Sequence, residues 1–246
     1  GKGVTTWEGL IKSVRAKVKG TKVKIRLGAS SGEWKAMVAD EAARTTFAKN
    51  IKTVLEKNKL DGIDLDFEWA ENEKEYKDYS LAILKMREVL GNKYLFSVSL
   101  HPVCYKISKE AIEAVDFISL QCYGPSPVRF PIEKYCSDIQ MVLEYGIPKE
   151  KLVAGVPFYG VTKDNSKKTE AYFNFVQNGL VTSPAQNEVI YQGDTYVFDG
   201  QDNIRIKTRY AKEQKLKGMM SWDLATDLPL SDSRSLLKTM TEELRE

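Results

Sequence analysis

The 246-residue sequence predicts an α/β fold, and three features predict it. Amphipathic helical segments alternate with short runs of β-branched and aromatic residues, the pattern of parallel strands joined by helical crossovers. The runs that read as strands end in polar or aromatic residues, as expected where functional groups gather at the carboxyl ends of parallel strands. One run, residues 61–69 (DGIDLDFEW), is acidic on one face and apolar on the other.

Taken in order, Thr5-Thr6-Trp7-Glu8 forms a capping-box pattern. Leu10, Ile11, Val14 and Val18 follow at helical spacing, so the first helix runs up to Gly20. In residues 22–30 (KVKIRLGAS), Val23, Ile25 and Leu27 alternate with Lys22, Lys24 and Arg26, which predicts a strand entering a Gly/Ser turn. Ala43, Phe47, Ile51, Val54 and Leu55 mark a helix leading into the acidic strand, 61–68. Tyr76, Tyr79, Ile83, Met86 and Leu90 share one face of the next helix, before the strand 94–100. A short helix near 108–114 precedes a strand at 116–123, and a helix at 132–145 ends at Gly146 before the strand 151–157. Residues 160–200 break the rhythm with a polar loop, a helix at 169–179 and a hairpin within 189–198 around Gly193-Asp194. A helix at 203–214, a strand at 217–223 and a closing helix with Leu236, Leu237, Met240 and Leu244 follow.

Six core strands are counted, whereas a (β/α)8 barrel has eight. At roughly 30 residues per βα unit, the shortfall is about 60 residues. The expectation is therefore a (β/α)8 TIM barrel whose first two βα units precede this chain. No linker rich in Pro, Gly or Ser divides the sequence, so residues 1–246 are expected to form a single, N-terminally incomplete barrel with a small insertion at about 161–200.

Composition excludes several function classes. Lys and Arg number 37 against 34 Asp and Glu, a net charge of +3 that is scattered along the helices, so nucleic acid is not an expected partner. No apolar run approaches the roughly 20 residues that span a bilayer. Cys104, Cys122 and Cys136 have no metal-like spacing and read as small buried thiols.

The acidic strand carries the strongest functional signal. Successive strand residues point to opposite faces, so Asp64, Asp66 and Glu68 line one side while Ile63, Leu65 and Phe67 line the other. Three carboxylates on a core strand are a costly way to build a fold, which argues for chemistry. Their mutual repulsion favours keeping a proton on the row, shared between Asp64 and Asp66. The bland alternatives are a structural cluster or a divalent-metal site. Other strand ends offer Gln121-Cys122-Tyr123-Gly124, Pro157-Phe158-Tyr159-Gly160 and Ser221-Trp222-Asp223. Aromatic faces that stack on a pyranose, beside groups that reach its hydroxyls, are the parts of a sugar site. Phe158 reads better as core. His101 reads as a surface or supporting residue. Two readings are open for Arg26 and Trp34, contact with substrate or support of the loop.

With these motifs in hand, the sequence resembles the family 18 glycoside hydrolases, which include chitinases and endo-β-N-acetylglucosaminidases. DGIDLDFE (61–68) matches the family's DGxDxDxE strand motif completely, and QCYG (121–124), GVPFYG (155–160) and GMMSWDL (218–224) follow in the family's order. The resemblance implies that Glu68 is the general acid and that the 2-acetamido oxygen of the sugar is the nucleophile. Asp66 would orient that group, Asp64 would tune Asp66, and Tyr123 would hydrogen-bond the acetamido oxygen. Trp222, Tyr159, Gln121 and Asp61 are the implied substrate-binding residues, and neither metal nor cofactor is implied. Departures are Gly124 where Asp is frequent, Gln121 where Met is common, and Gly28-Ala29 in place of Gly-Gly.

The resemblance thus implies a monomeric hydrolase of β-1,4-linked N-acetylglucosamine oligo- or polysaccharides, chitinase-like, and secreted, periplasmic or in the cell envelope. The alternatives are an endo-β-N-acetylglucosaminidase acting on N-glycans or peptidoglycan, and a catalytically silent carbohydrate-binding relative. Silent relatives typically lack the last acid of the motif, and Glu68 is present.

Overall fold

The computed structural model describes residues 7–30, 32–123, 130–164 and 168–245. Thr5 and Thr6 of the opening cap, Gly124 of QCYG and residues 165–167 of the polar loop lie outside the described residues. The chain divides into two compact units, Gly1–Ser99 with Lys106–Asp116, and Leu100–Tyr105 with Phe117–Glu246. Among the described residues no helix is long and apolar enough to cross a membrane.

In the first unit the order is α1 (Trp7–Lys17), β1 (Arg26–Ala29), α2 (Trp34–Ala39), α3 (Glu41–Asn58), β2 (Gly62–Leu65), α4 (Glu73–Leu90), β3 (Leu95–Leu100) and α5 (Lys109–Ala114). Polar side chains start the helices where the sequence turns polar. Asp40 accepts from the Ala43 N–H at 2.7 Å to open α3, and Asn72 accepts from the Glu75 N–H at 3.0 Å to open α4. β1 pairs with β2 and β2 with β3, all parallel, and Asp64 stands in register with Gly28 on one side and Ser97 on the other. The core behind the strands holds Trp34, Val38, Leu55, Ile63, Leu65, Phe67, Tyr79 and Ile83.

β1 begins four residues later than the alternation of Lys22–Arg26 suggests. Val23 is 57% exposed, and the Ile25 N–H is taken by the Asp61 side chain at 2.8 Å instead of a neighbouring strand. Alternation shows which residues can face a core; a ladder also needs a partner backbone.

The second unit continues with β4 (Phe117–Leu120), α6 (Ile132–Tyr145), β5 (Leu152–Pro157), β6 (Tyr159–Thr162), β7 (Thr169–Ala171), α7 (Tyr172–Gln177), β8 (Glu188–Tyr191), β9 (Asp194–Val197), α8 (Gln201–Glu213), β10 (Gly218–Trp222) and α9 (Leu236–Arg245). β4, β5 and β10 run parallel with β5 in the middle. Among the described residues the parallel strands are the six read from the sequence. The excursion folds as a four-stranded antiparallel sheet in the order β7-β6-β9-β8. Its hairpin turns through Gln192 and Gly193, with φ of 52° and 88°, the two left-handed residues that a two-residue turn requires. The expected helix at 169–179 is shorter, because Thr169–Ala171 pairs with Tyr159–Val161 before the helix begins.

Candidate active site

The acid row is built by one glycine and the strand alternation. A Cβ on Gly62 would lie 1.9 Å from the Leu95 carbonyl oxygen, so β2 and β3 approach as they do only with glycine there. Ile63, Leu65 and Phe67 then turn into the core, while Asp64 and Asp66 are half-buried and Glu68 is exposed. The ladder of β2 ends at Leu65, and the Asp66 N–H still donates to the Ala29 carbonyl at 2.9 Å, which carries the strand direction on towards Glu68. The Glu68–Trp69 peptide bond is cis, as is Trp222–Asp223.

Asp64 is held by two serines and faced by an arginine. Ser97 Oγ donates to its Oδ1 in a short contact, Ser99 Oγ donates to Oδ2 at 2.7 Å, and Arg26 Nη1 lies 3.8 Å from Oδ1. Arg26 also donates to Ser97 Oγ in a short contact. Burial draws the Arg26 guanidinium below its ordinary value, with Asp64 and Asp116 pulling the other way, and it stays charged at any working pH.

Glu68 is positioned from behind by aromatic packing. Trp34 stacks on Phe67 with ring centroids 5.4 Å apart and planes 10° from parallel, and its Nε1–H donates to the Glu68 carbonyl at 3.1 Å. Tyr79 packs against both rings. The turn that follows is pinned by Lys35, held 3.0 Å from Glu71 and 2.9 Å from Glu75. Those bonds raise the Lys35 ammonium above its ordinary value, and the bond to Lys35 lowers the Glu75 carboxyl. Of the two readings open for Trp34, support is the one its burial fits.

The second unit carries the aromatic strand ends. Tyr123 is buried, its hydroxyl 3.8 Å from Met220 Sδ and its ring edge-on to Tyr159 at 6.4 Å. Phe130 meets Tyr159 edge-on from another side at 6.1 Å. Room for Tyr123 comes from Gly155, where a Cβ would lie 2.9 Å from the Tyr123 ring and 2.6 Å from the Leu120 carbonyl. Gln121 is buried, with its N–H donating to the Leu100 carbonyl at 2.8 Å. Trp222 stands in register with Pro157 and leaves 55% of its surface open, an unusual cost for an indole that serves only packing. Asp223 turns back to accept from the Ala225 N–H at 2.7 Å and fixes the chain after it.

The remaining candidates fall elsewhere. Asp61 stands at the opposite end of β2 from Glu68, and its carboxylate accepts from the Ile25 N–H at 2.8 Å and lies 3.8 Å from Lys24. His101 is 4% exposed and joined to Cys104 by a pair of backbone hydrogen bonds, so it is not a surface residue. Phe158 is fully buried, as core. Cys104 and Cys122 are buried free thiols and Cys136 is half-buried. Burial pushes the Cys122 thiol up to about 12. Among the described residues no group of three or more His, Cys, Asp or Glu is placed to hold a metal ion. Sequence reasoning passed over Ser97 and saw Ser99 only as a strand-end residue; their spacing in YLFSVSL put both on one strand face, but nothing local named that face as Asp64's.

Parallel α/β strands, an acid row ending in an exposed glutamate and aromatic residues at the ends of other parallel strands are the parts from which glycoside hydrolases are built. The chain belongs to the glycosyl hydrolases family 18, whose model matches residues 6–227. A probable chitinase 2 of Drosophila melanogaster is 23% identical over 273 residues, covering 84% of this chain and 56% of that protein. The chain thus spans about half the length of that curated relative. A chitinase from Bacteroides thetaiotaomicron shares the fold with a TM-score of 0.85 at 21% identity, covering 98% of this chain and 82% of the other. A chitinase-like agglutinin from Robinia pseudoacacia superposes with a TM-score of 0.79 at 18% identity, covering 96% and 85%.

Proposed function

We propose that the protein is a chitinase-like hydrolase that cleaves β-1,4-linked N-acetylglucosamine glycans with retention of configuration. The observation that carries this reading is the complete DGIDLDFE row with Glu68 exposed at its end, backed by the Trp34 hydrogen bond to its carbonyl. Glu68 protonates the glycosidic oxygen as the substrate's own acetamido oxygen attacks the anomeric carbon, and then takes a proton from the incoming water. Asp66 orients the acetamido group and offsets the positive charge of the cyclic intermediate. Tyr123 donates to the acetamido oxygen, and Gln121 and Tyr159 contact the same sugar. Trp222 offers an open aromatic face for a pyranose ring. Asp61, tied to the Ile25 N–H, anchors the start of the strand. The protein acts as a monomer, without metal or cofactor, in a secreted, periplasmic or cell-envelope setting where such polymers lie.

The agglutinin among the structural neighbours favours a second reading, a sugar-binding protein without turnover. Incubation with labelled chitooligosaccharides, N-glycopeptides and muropeptides separates the two. Cleavage of chitotetraose with the β-anomer released first, followed by proton NMR, supports the proposal. Cleavage of N-glycopeptides or muropeptides alone moves the assignment to an endo-β-N-acetylglucosaminidase. Binding of the sugars without cleavage of any of them sinks the hydrolase reading.

A further inference from the structure

Arg26 occupies an unusual place for a cation. It leaves β1 opposite Gly62, two residues before Gly28, whose partner in register is Asp64. Neither glycine puts a side chain on this face, so the guanidinium extends along β1 and reaches past β2 to Ser97 on β3. A hydroxyl has a single proton to give. Ser97 accepts from Arg26 and gives its own proton to Asp64 Oδ1, while Ser99 gives its proton to Oδ2 at 2.7 Å and Arg26 stands directly 3.8 Å from Oδ1. The side chains of Arg26 and Asp64 are only 25% and 17% exposed, so solvent screens the pair less than a surface ion pair. Among the described residues of the strands beside Asp64, β1 supplies Arg26, β2 supplies Asp66, and β3 supplies the neutral Ser97 and Ser99. Asp116 acts on Arg26 from the end of α5 but is itself paired with Arg87 at 2.9 Å, and Asp61 faces Lys24.

We infer that Arg26 is a positioning residue that works through Asp64. It fixes the Asp64 carboxylate against Ser97 and Ser99 and offsets its negative charge, so that Asp66 is the acid of the pair presented to the sugar's acetamido group. The inference rests on the proposed hydrolase reading for its catalytic consequence, though not for its geometry.

The test measures kcat and KM on chitotetraose across pH for the wild type, Arg26→Met, Arg26→Lys, Asp64→Asn and the double variant Arg26→Met/Asp64→Asn. Arg26→Met is expected to lower kcat about tenfold while KM stays within about threefold, the split expected when positioning and not uniform binding is lost. Removing a cation favours the protonated forms of the row, so the basic limb of kcat/KM moves up by about half a pH unit or more. Arg26→Lys returns that limb to its wild-type place, and in the Asp64→Asn background Arg26→Met no longer moves it. An unmoved limb in Arg26→Met, or the same shift in both backgrounds, overturns the inference. Should the wild type cleave none of the panel, the function falls and the inference is read from urea unfolding of the same variants. Destabilisations of Arg26→Met and Asp64→Asn that are strongly non-additive support it, and additive ones reject it. If Arg26→Met does not fold, Arg26→Gln, which keeps a donor for Ser97 without the charge, takes its place.

Discussion

Replacing Lys207 by Met tests how the second unit holds its aromatic strand ends. Lys207 is 1% exposed, and its ammonium donates to Asp199 Oδ2 at 2.5 Å and to the Phe130 carbonyl at 2.7 Å. Phe130 packs on Tyr159, so the buried pair ties α8 to the aromatic cluster. Removing one partner of a buried pair leaves the other charge uncompensated, which costs about 3–5 kcal/mol. At about 2–4 °C per kcal/mol for a chain of this size, Tm should fall by about 10 °C at pH 8. Burial already pushes the Asp199 carboxyl above its ordinary value, with Lys207 and Asn203 opposing. Without Lys207 the folded protein takes up the Asp199 proton well above the unfolded value of about 3.9. The folded state then binds more protons than the unfolded chain in that window. Stability of the variant relative to wild type should therefore fall as pH rises from 5 to 8, by at most about 1.4 kcal/mol per unit. Thermal and urea unfolding at pH 5 and pH 8 read this directly, and adding Asp199→Asn should recover part of the loss at pH 8. A Tm within 2 °C of wild type (against the ~10 °C expected), or a loss independent of pH, refutes the reasoning.

Two further predictions follow from the site. Trp34→Phe removes the donor to the Glu68 carbonyl while keeping an aromatic ring on Phe67; it should cost about 1–2 kcal/mol of stability and lower kcat about threefold to tenfold at little change in KM. Unchanged kcat would show that the indole merely fills the core. The Cys122 thiol, pushed up to about 12 by burial, has a thiolate fraction of about 1 in 10,000 at pH 8, so maleimide should label it only after unfolding. Rapid labelling of the native protein, located by peptide mass spectrometry, would contradict its placement.

The legible parts of this molecule were those set by local chemistry. Ile139, Val142 and the αL Gly146 fixed the helix Ile132–Tyr145 to its ends, because periodicity and a left-handed stop signal coincide there. Period-two alternation gave the acid row its two faces. What depends on tertiary partners was not legible. Thr169–Ala171 is polar enough to begin a helix and becomes a strand only because Tyr159–Val161 lies beside it. Tyr159–Thr162 follows Pro157 after a single residue and reads as the entry to the polar loop; it is a strand because it pairs with Thr169–Ala171 and with Tyr196–Val197. α2 spans only six residues, too few for a helical period to declare itself. Arg26 was legible as a residue near a strand end, but its partner was not; register against β2 places it beside Asp64 while Val23, three residues earlier on the same alternating run, faces solvent.

The central claim is that Glu68 moves the proton in a hydrolytic site. Glu68→Gln keeps size and hydrogen-bonding capacity but cannot serve as acid, and Glu68 is exposed, so folding should be unaffected. Measured on chitotetraose, kcat should fall by about 10³-fold, while calorimetric Kd for the same sugar stays within about threefold of the wild type. Turnover by Glu68→Gln within tenfold of the wild type would contradict the account, because a general acid is worth roughly 10²–10⁴-fold in rate.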